Sequence, residues 1–302
     1  MRTQPNAVSA IVTEILGLCN EVGVDAPVRP GPEATYSNSL VIRVLIMKSL
    51  FGFDSESSFL RFLALHHARV FPQLPERSWF NRKAKKLSSV QRDIHALLLE
   101  KLDVTALSLE IIDTTPVPVA KLHRAYRCRS FKRTTEVNFG YCASKREYYY
   151  GKKLSLFVTE QGIPTSYGLS VANQHDLPAL KALLPDYGER LRHKILIADK
   201  GYYDGELRLE LKERFGACLV VPDKRRHHQW NTEKERRLLR KRSTIETVNE
   251  QLQDHMKITH TRARGHEGLL SRVQSIILAF VFGCYHNSIN NRPVLALKSI
   301  VI

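Results

Sequence analysis

Three acids stand where the local sequence would leave a carboxylate at the edge of a buried sheet: Asp113, Asp199 and Glu246. Asp113 closes the apolar run Leu109, Ile111, Ile112 and is followed by Pro116 and Pro118, which cannot extend a central strand, so its carboxylate is expected at a strand end. Asp199 follows Ile195-Leu196-Ile197-Ala198, a continuous apolar run of the kind covered on both faces, and Gly201 marks the turn out. Glu246 lies among Ile245, Val248, Leu252 and Met256, whose helical spacing makes one apolar stripe. Arg242, Glu246 and Gln253 then fall on a neighbouring, more polar face.

Converging carboxylates repel one another and resist desolvation, so such a trio needs a cation. Oxygen donors in that number suit Mg²⁺ or Mn²⁺ and not zinc. Two such ions about 4 Å apart activate a water or hydroxyl and stabilise a leaving oxygen, which is phosphoryl-transfer chemistry. The expectation is a two-metal nuclease or strand transferase with Asp113, Asp199 and Glu246 as both catalytic and metal-ligating residues.

The elements that must position these acids change character along the chain. Residues 1–105 read as helical, with apolar recurrences at 7–22, 40–51, 57–67, 78–87 and 89–102 separated by Pro, Gly or Ser. From 107 onward short strands (107–112, 152–159, 163–171, 194–198, 217–221) mix with helices (176–191, 204–214, 243–256, 266–288). Gln161-Gly162-Ile163-Pro164 reads as the turn of an antiparallel pair. The fold class expected is α/β, a mixed sheet flanked by helices and preceded by an all-helical N-terminal domain. The boundary expected is 1–105 against 106–302.

Composition narrows the partner. Lys plus Arg total 46 against 30 Asp plus Glu, a net charge of +16, which points to a polyanion. With 302 residues and 43% hydrophobic content the chain buries a full core and is not a disordered one. The five cysteines are odd in number and form no Cys-x-x-Cys pair, as expected of a reduced, cytoplasmic chain without structural zinc. No secretory leader is visible, and the apolar run 276–285 is too short to span a bilayer, so a buried helix and no membrane partner are expected.

Two basic segments flank the acids. Lys121, Arg124, Arg127, Arg129, Lys132 and Arg133, interleaved with His123, Tyr126 and Phe131, follow the Asp113 strand and suit a phosphate backbone. Residues 224–242 run into the Glu246 helix, where Arg242 either orients Glu246 or grips a phosphate. Upstream, 57–67 and 77–86 resemble a helix-turn-helix with Ser78 as N-cap and Arg82, Lys83, Lys85 and Lys86 exposed, Arg82 and Lys83 being the expected DNA contacts. The alternative there is a bundle that merely packs or dimerises. Asp176 reads as an N-cap before Pro178, with a place near the metals as the alternative. Lys200 and Tyr202 flank Asp199 at DNA-contact positions, with simple exposure as the alternative. Tyr148, Tyr149 and Tyr150 precede Gly151, alternate members packing on the sheet and one placed to stack on a base.

In order along the chain stand Ile-Ile-Asp113-Thr-Thr-Pro-Val-Pro-Val, Tyr-Tyr-Gly151-Lys-Lys-Leu, Ala172-Asn-Gln-His-Asp, Ala198-Asp199-Lys-Gly-Tyr and Arg242-x-x-x-Glu246. This ordered set, over about residues 36–290, resembles the DDE transposases of bacterial insertion sequences. It looks closest to the insertion-sequence family numbered nine-eight-two, in the wider group whose third acid lies in Arg-x-x-x-Glu. The resemblance implies an RNase H-like core in which Asp113, Asp199 and Glu246 bind two Mg²⁺, Mn²⁺ substituting, with Asp113 bridging the ions. It implies cutting at transposon ends, joining of 3′-hydroxyls to target DNA, a homodimer or higher multimer on DNA, and a nucleoid-associated place in a bacterial cytoplasm. The chain departs from the related pattern at Leu239 and Gln253, where a Tyr and a Lys are usual. The rival expectations are a nuclease of the same fold without strand transfer and a catalytically silent DNA-binding regulator.

Overall fold

The computed structural model describes residues 5–26, 35–128, 131, 136–142, 145–223 and 230–300. The helical periodicity at the start of the chain becomes α1 (Pro5–Val22), α2 (Asn38–Leu50), α3 (Glu56–His66), α4 (Arg77–Lys86) and α5 (Ser88–Lys101). There follow β1 (Leu109–Ala120), β2 (Asn138–Cys142), β3 (Glu147–Thr159), β4 (Pro164–Val171), α6 (Asp176–Tyr187), β5 (Ile195–Ile197), α7 (Gly205–Phe215) and β6 (Cys218–Val220). The chain closes with α8 (Glu233–Arg240), α9 (Ser243–Glu250) and α10 (His266–Ile289). It divides into two units, Asp103–Glu250 and a second made of Met1–Leu102 with Gln251–Ile302. Residues 251–302 therefore pack with the early helices, not with the sheet as the boundary at 106 had it. The reason is α10, whose apolar residues all round can be satisfied only inside a helical bundle.

In the helical unit α10 packs against α2, α4 and α5. Among the described residues it is the one helix long and apolar enough to cross a membrane, and 83% of that stretch is buried inside the protein. This matches the buried helix expected at 276–285. Helix α2 is likewise apolar on nearly every side, and Ser37 caps it by accepting the Leu40 amide at 3.1 Å. Glu56 is buried here and held by Arg272 at 2.9 Å and by the Asn81 side-chain amide at 3.0 Å. Helix α4 starts one residue earlier than expected, with Glu76 as N-cap and no side-chain cap, so Ser78 is inside the first turn and caps nothing.

The other unit is a mixed sheet in the order β2-β3-β1-β5-β6, with β4 also on β3. Strands β2 and β4 lie end to end along β3, pairing Glu147–Gly151 and Lys152–Val158 respectively. The α/β reading holds in this coarse form. Strand β1 pairs antiparallel with β3 over Glu110–Ala120, but parallel with β5 only over Leu109–Ile111. It thus runs past Pro116 and Pro118, and Asp113 is mid-strand and not at the end expected from the prolines. The physical reason is the alternation of backbone groups along a strand. The Ser108 carbonyl accepts from Ile195 on β5, so residues 110, 112, 114, 116 and 118 turn their backbone polar groups to that side. Both proline nitrogens therefore face an edge that β5 no longer reaches, and the ladder to β3 loses no donor.

Gly151 belongs to the same stretch. A Cβ there would lie 2.2 Å from the Val117 carbonyl oxygen and 2.9 Å from Pro118 Cα, so only glycine lets β3 approach β1 at its bulge. On one face of the sheet Ile112, Phe157 and Leu196 pack with Leu180, Leu184 and Tyr187 of α6 and with Leu211 and Phe215 of α7. Successive side chains alternate faces, so Asp113 points to the opposite face, where α9 packs on β1.

Candidate active site

The register of β1 on β5 places the first two acids. Ile111 pairs with Ile197 in parallel, and Asp113 and Asp199 each follow two residues later on neighbouring chains. Asp199 opens the 3₁₀ turn Lys200–Tyr202 without spending its side chain on capping, so the carboxylate is left free to face outward. It is half-exposed and meets Arg242 Nη1 at 3.4 Å. Asp113 is more enclosed. Burial pushes its carboxyl up to about 6; the Thr114 amide and the Arg242 guanidinium oppose this, while Asp199 and Asp176 add to it.

Helix α9 places the third acid. Asn249 donates its side-chain amide to Asp113 Oδ2 at 3.2 Å, and Arg242, just before the helix, reaches Asp199. Glu246 is one turn after Arg242 and one turn before Asn249, so it lies on the stripe whose two ends are tied to the two aspartates. Ile245 and Val248 are fully buried and fasten the helix into the core. The helix ends at Glu250 in a π turn, Gln251–His255, which contains Gln253 and breaks the 3.6-residue period from which its place was read.

No group of three or more His, Cys, Asp or Glu among the described residues is gathered tightly enough to hold a metal ion. The donor chemistry nevertheless fits one. The acids offer only hard oxygen atoms, Asp113 is poorly solvated and flanked by like charge, and Glu246 is exposed.

Residues 103–266, more than half of the chain, match the family model described as the transposase DDE domain, and all three acids fall inside the match. The chain belongs to the DDE transposase family. Comparison with curated proteins and with solved structures gave no match.

Around the acids this transposase carries groups that sequence reasoning placed otherwise. Asp176 is the first residue of α6, after the N-cap His175, and not itself a cap. Its Oδ1 accepts from Lys153 Nζ at 2.9 Å and from Thr114 Oγ1 at 3.2 Å, and its charge is felt at Asp113. Tyr202, read as a DNA-contact position, is fully buried; its hydroxyl has no partner among the described residues and is raised above its ordinary pKa by burial and by Asp176, Asp113 and Asp199. Asn249 went unread because an amide on a helix carries no signal until the helix is docked. Its offset of three from Glu246 was the one available hint.

The DNA-contact candidates fall in several places. Lys121, Arg124 and Arg127 are exposed at and just after the end of β1, in or beside the 3₁₀ turn Leu122–Arg127, with Tyr126 exposed among them. Arg129, Lys132 and Arg133 lie outside the described residues. Lys200 is exposed beside Asp199, and Arg242 is partly buried against it. Arg82 is exposed and Lys83 half-buried on α4, in the helical unit. Of the segment 224–242, residues 224–229 lie outside the described set, and 233–240 form α8, closed at its start by a capping box between Thr232 and Glu235.

Proposed function

We propose that this transposase cleaves DNA at the ends of its own insertion sequence and joins the 3′-hydroxyl ends to target DNA by two-metal phosphoryl transfer. The observation that carries the reading is the α9 stripe. Arg242 meets Asp199 and Asn249 donates to Asp113, and Glu246 stands between Arg242 and Asn249 along the chain, four residues after the one and three before the other.

In this reading the sheet is an RNase H-like core, and the chain is a bacterial insertion-sequence enzyme closest to the family numbered nine-eight-two. Asp113, Asp199 and Glu246 hold two Mg²⁺, with Mn²⁺ substituting. Bound there, the ions activate the attacking oxygen and stabilise the leaving one. The protein's own work is positioning. Lys153 and Thr114 pin Asp176 at the rim, Asn249 fixes the rotamer of Asp113, and Arg242 either orients Asp199 or contacts a phosphate. Lys121, Arg124, Arg127, Lys200 and Arg242, with Arg129, Lys132 and Arg133, grip the DNA backbone near the acids. The early helices, with Arg82 and Lys83, recognise ends or dimerise, and the enzyme acts as a homodimer or larger multimer in a bacterial cytoplasm.

A product assay tests this reading. A plasmid carrying the DNA that flanks the gene is incubated with the full chain and Mg²⁺, and products are sequenced. Joined strands support transposition; cuts without joining would reduce the reading to a nuclease.

A further inference from the structure

We propose that a basic cleft inside the helical unit, lined by α4 and the start of α10, is a second phosphate-binding site that anchors a DNA backbone. The cleft has a volume of about 450 Å³. The proposal rests on reading the chain as DNA-acting, but it concerns residues remote in sequence from the three acids and stands on its own geometry.

One wall is the α4 face carrying Arg77, Asn81 and Lys85, which recur at helical spacing. The other is the segment from Arg262 to Arg272 that leads into α10. Five of the lining side chains are cationic: Arg77, Lys85, Arg262, Arg264 and Arg272; Glu267 is the one acid among them. Two of those cations are already used. Arg262 is paired with Asp54 at 2.8 Å and Arg272 with Glu56 at 2.9 Å, and Asn81 donates to the same Glu56. Arg77, Lys85 and Arg264 are exposed and have no ion-pair partner among the described residues. These three supply charge that no ion pair among the described residues compensates.

The opening of α10 adds a second kind of donor. Its N-cap is Gly265, which has no side chain to accept the first-turn amides, and Gly265, His266, Glu267 and Gly268 are among the residues that line the cleft. A 24-residue helix presents the positive end of its dipole there. A Cβ at Gly265 would meet nothing within 4 Å, and its backbone is extended, so a larger residue fits without strain. Sterics therefore leave room for an ordinary capping residue at this N-cap. A glycine there leaves the amides open to an external oxyanion. The expected occupant is a phosphodiester, because the cations come from two walls of an open cleft and the chain carries a net charge of +16.

This differs from the expectation for α4 drawn from sequence, in which Arg82 and Lys83 were the contacts. Those two residues are not part of the cleft lining, whereas Arg77 and Lys85 are.

The test is duplex binding by the full-length chain as a function of salt, for the wild type, Gly265→Asp, Gly265→Asn, and the triple variant Arg77→Ala/Lys85→Ala/Arg264→Ala. Both Gly265 variants supply a cap, so both should melt at or above the wild-type temperature. Both caps occupy the open amides and should weaken binding, Asn by about threefold and Asp, which also places a negative charge where the phosphate sits, by about tenfold or more. The triple variant should lower the slope of log affinity against log salt by about two to three. Equal behaviour of Asp and Asn, or an unchanged slope, would overturn the site. If the triple variant does not fold, the Gly265 pair decides. Inorganic phosphate is titrated in parallel: competition with duplex supports the site, and saturable phosphate binding that leaves duplex affinity unchanged would reassign the cleft to a small anion and sink the DNA reading of it. Cleavage is not read out, so failure of the cutting-and-joining proposal and failure of this one are separable.

Discussion

Asn249 on α9 donates to Asp113 on β1 at 3.2 Å, and this hydrogen bond joins the helix of the third acid to the strand of the first. The Asn249 side chain is almost fully buried. It serves two ends at once: it gives an enclosed carboxylate a neutral donor, and it ties α9, the helix that carries Glu246, to β1.

Replacing Asn249 by Ala removes that donor and should cost about 1–2 kcal/mol of stability, with a larger proportional loss of cleavage rate than of DNA affinity. Asn249→Asp adds a like charge beside Asp113 and should be worse in both respects. Thermal melts and single-turnover cleavage check this. A variant that melts lower but cleaves at the wild-type rate would make Asn249 a packing residue only.

Gly151 allows the close passage of β3 over β1, where a Cβ would meet the Val117 carbonyl at 2.2 Å. Gly151→Ala should destabilise by about 2 kcal/mol or more, because backbone and not a flexible side chain must move. Gly205→Ala, in the first turn of α7 with nothing within 4 Å, should be neutral or slightly stabilising. Denaturant midpoints of the two variants give the comparison.

Lys48 supplies a pH dependence in the helical unit. Burial brings its pKa from 10.5 down to about 8; Glu56 and Asp54 oppose the shift, and Arg272 and Arg262 reinforce it. Between pH 8 and 10.5 the unfolded chain holds a proton that the folded one has released, so stability should rise with pH through that window and be level below it. Lys48→Met should raise the melting temperature at pH 7 and remove the rise. Melts at pH 7, 8, 9 and 10 measure it; a fall in stability from this group over that interval would reverse the sign.

Charge reversal of Arg124 and Arg127, exposed in the turn just after β1, should weaken duplex binding and lower its salt slope by about two. An unchanged slope would return that turn to ordinary solvated surface.

Much of the fold was legible because it rests on local pattern. The helical spacing of Ile245 and Val248 and the apolar run before Asp199 are each fixed within a few residues of chain, and the helix and the strand they predict are both present. What failed depends on partners. Pro116 and Pro118 stop a strand only if both edges are paired, and the sequence does not state that β5 ends at Ile197. Strand β2 was not read at all, since five residues containing Gly140 show no clear alternation; that glycine exists because a Cβ would strike the Ala172 carbonyl at 2.7 Å. The return of residues 251–302 to the early helices is a long-range choice made by α10. Tyr202 looked like a surface tyrosine beside Asp199 and is instead buried, with the charges of Asp176, Asp113 and Asp199 felt at its hydroxyl.

The most direct measurement is Mg²⁺-dependent cleavage and joining on DNA that carries the gene's own flanks, comparing the wild type with Glu246→Gln. Specific end cleavage with joined products, lost in the variant at similar DNA affinity, is the predicted result. Equal cleavage by both proteins would remove Glu246 from the site and contradict the proposal that it acts with Asp113 and Asp199.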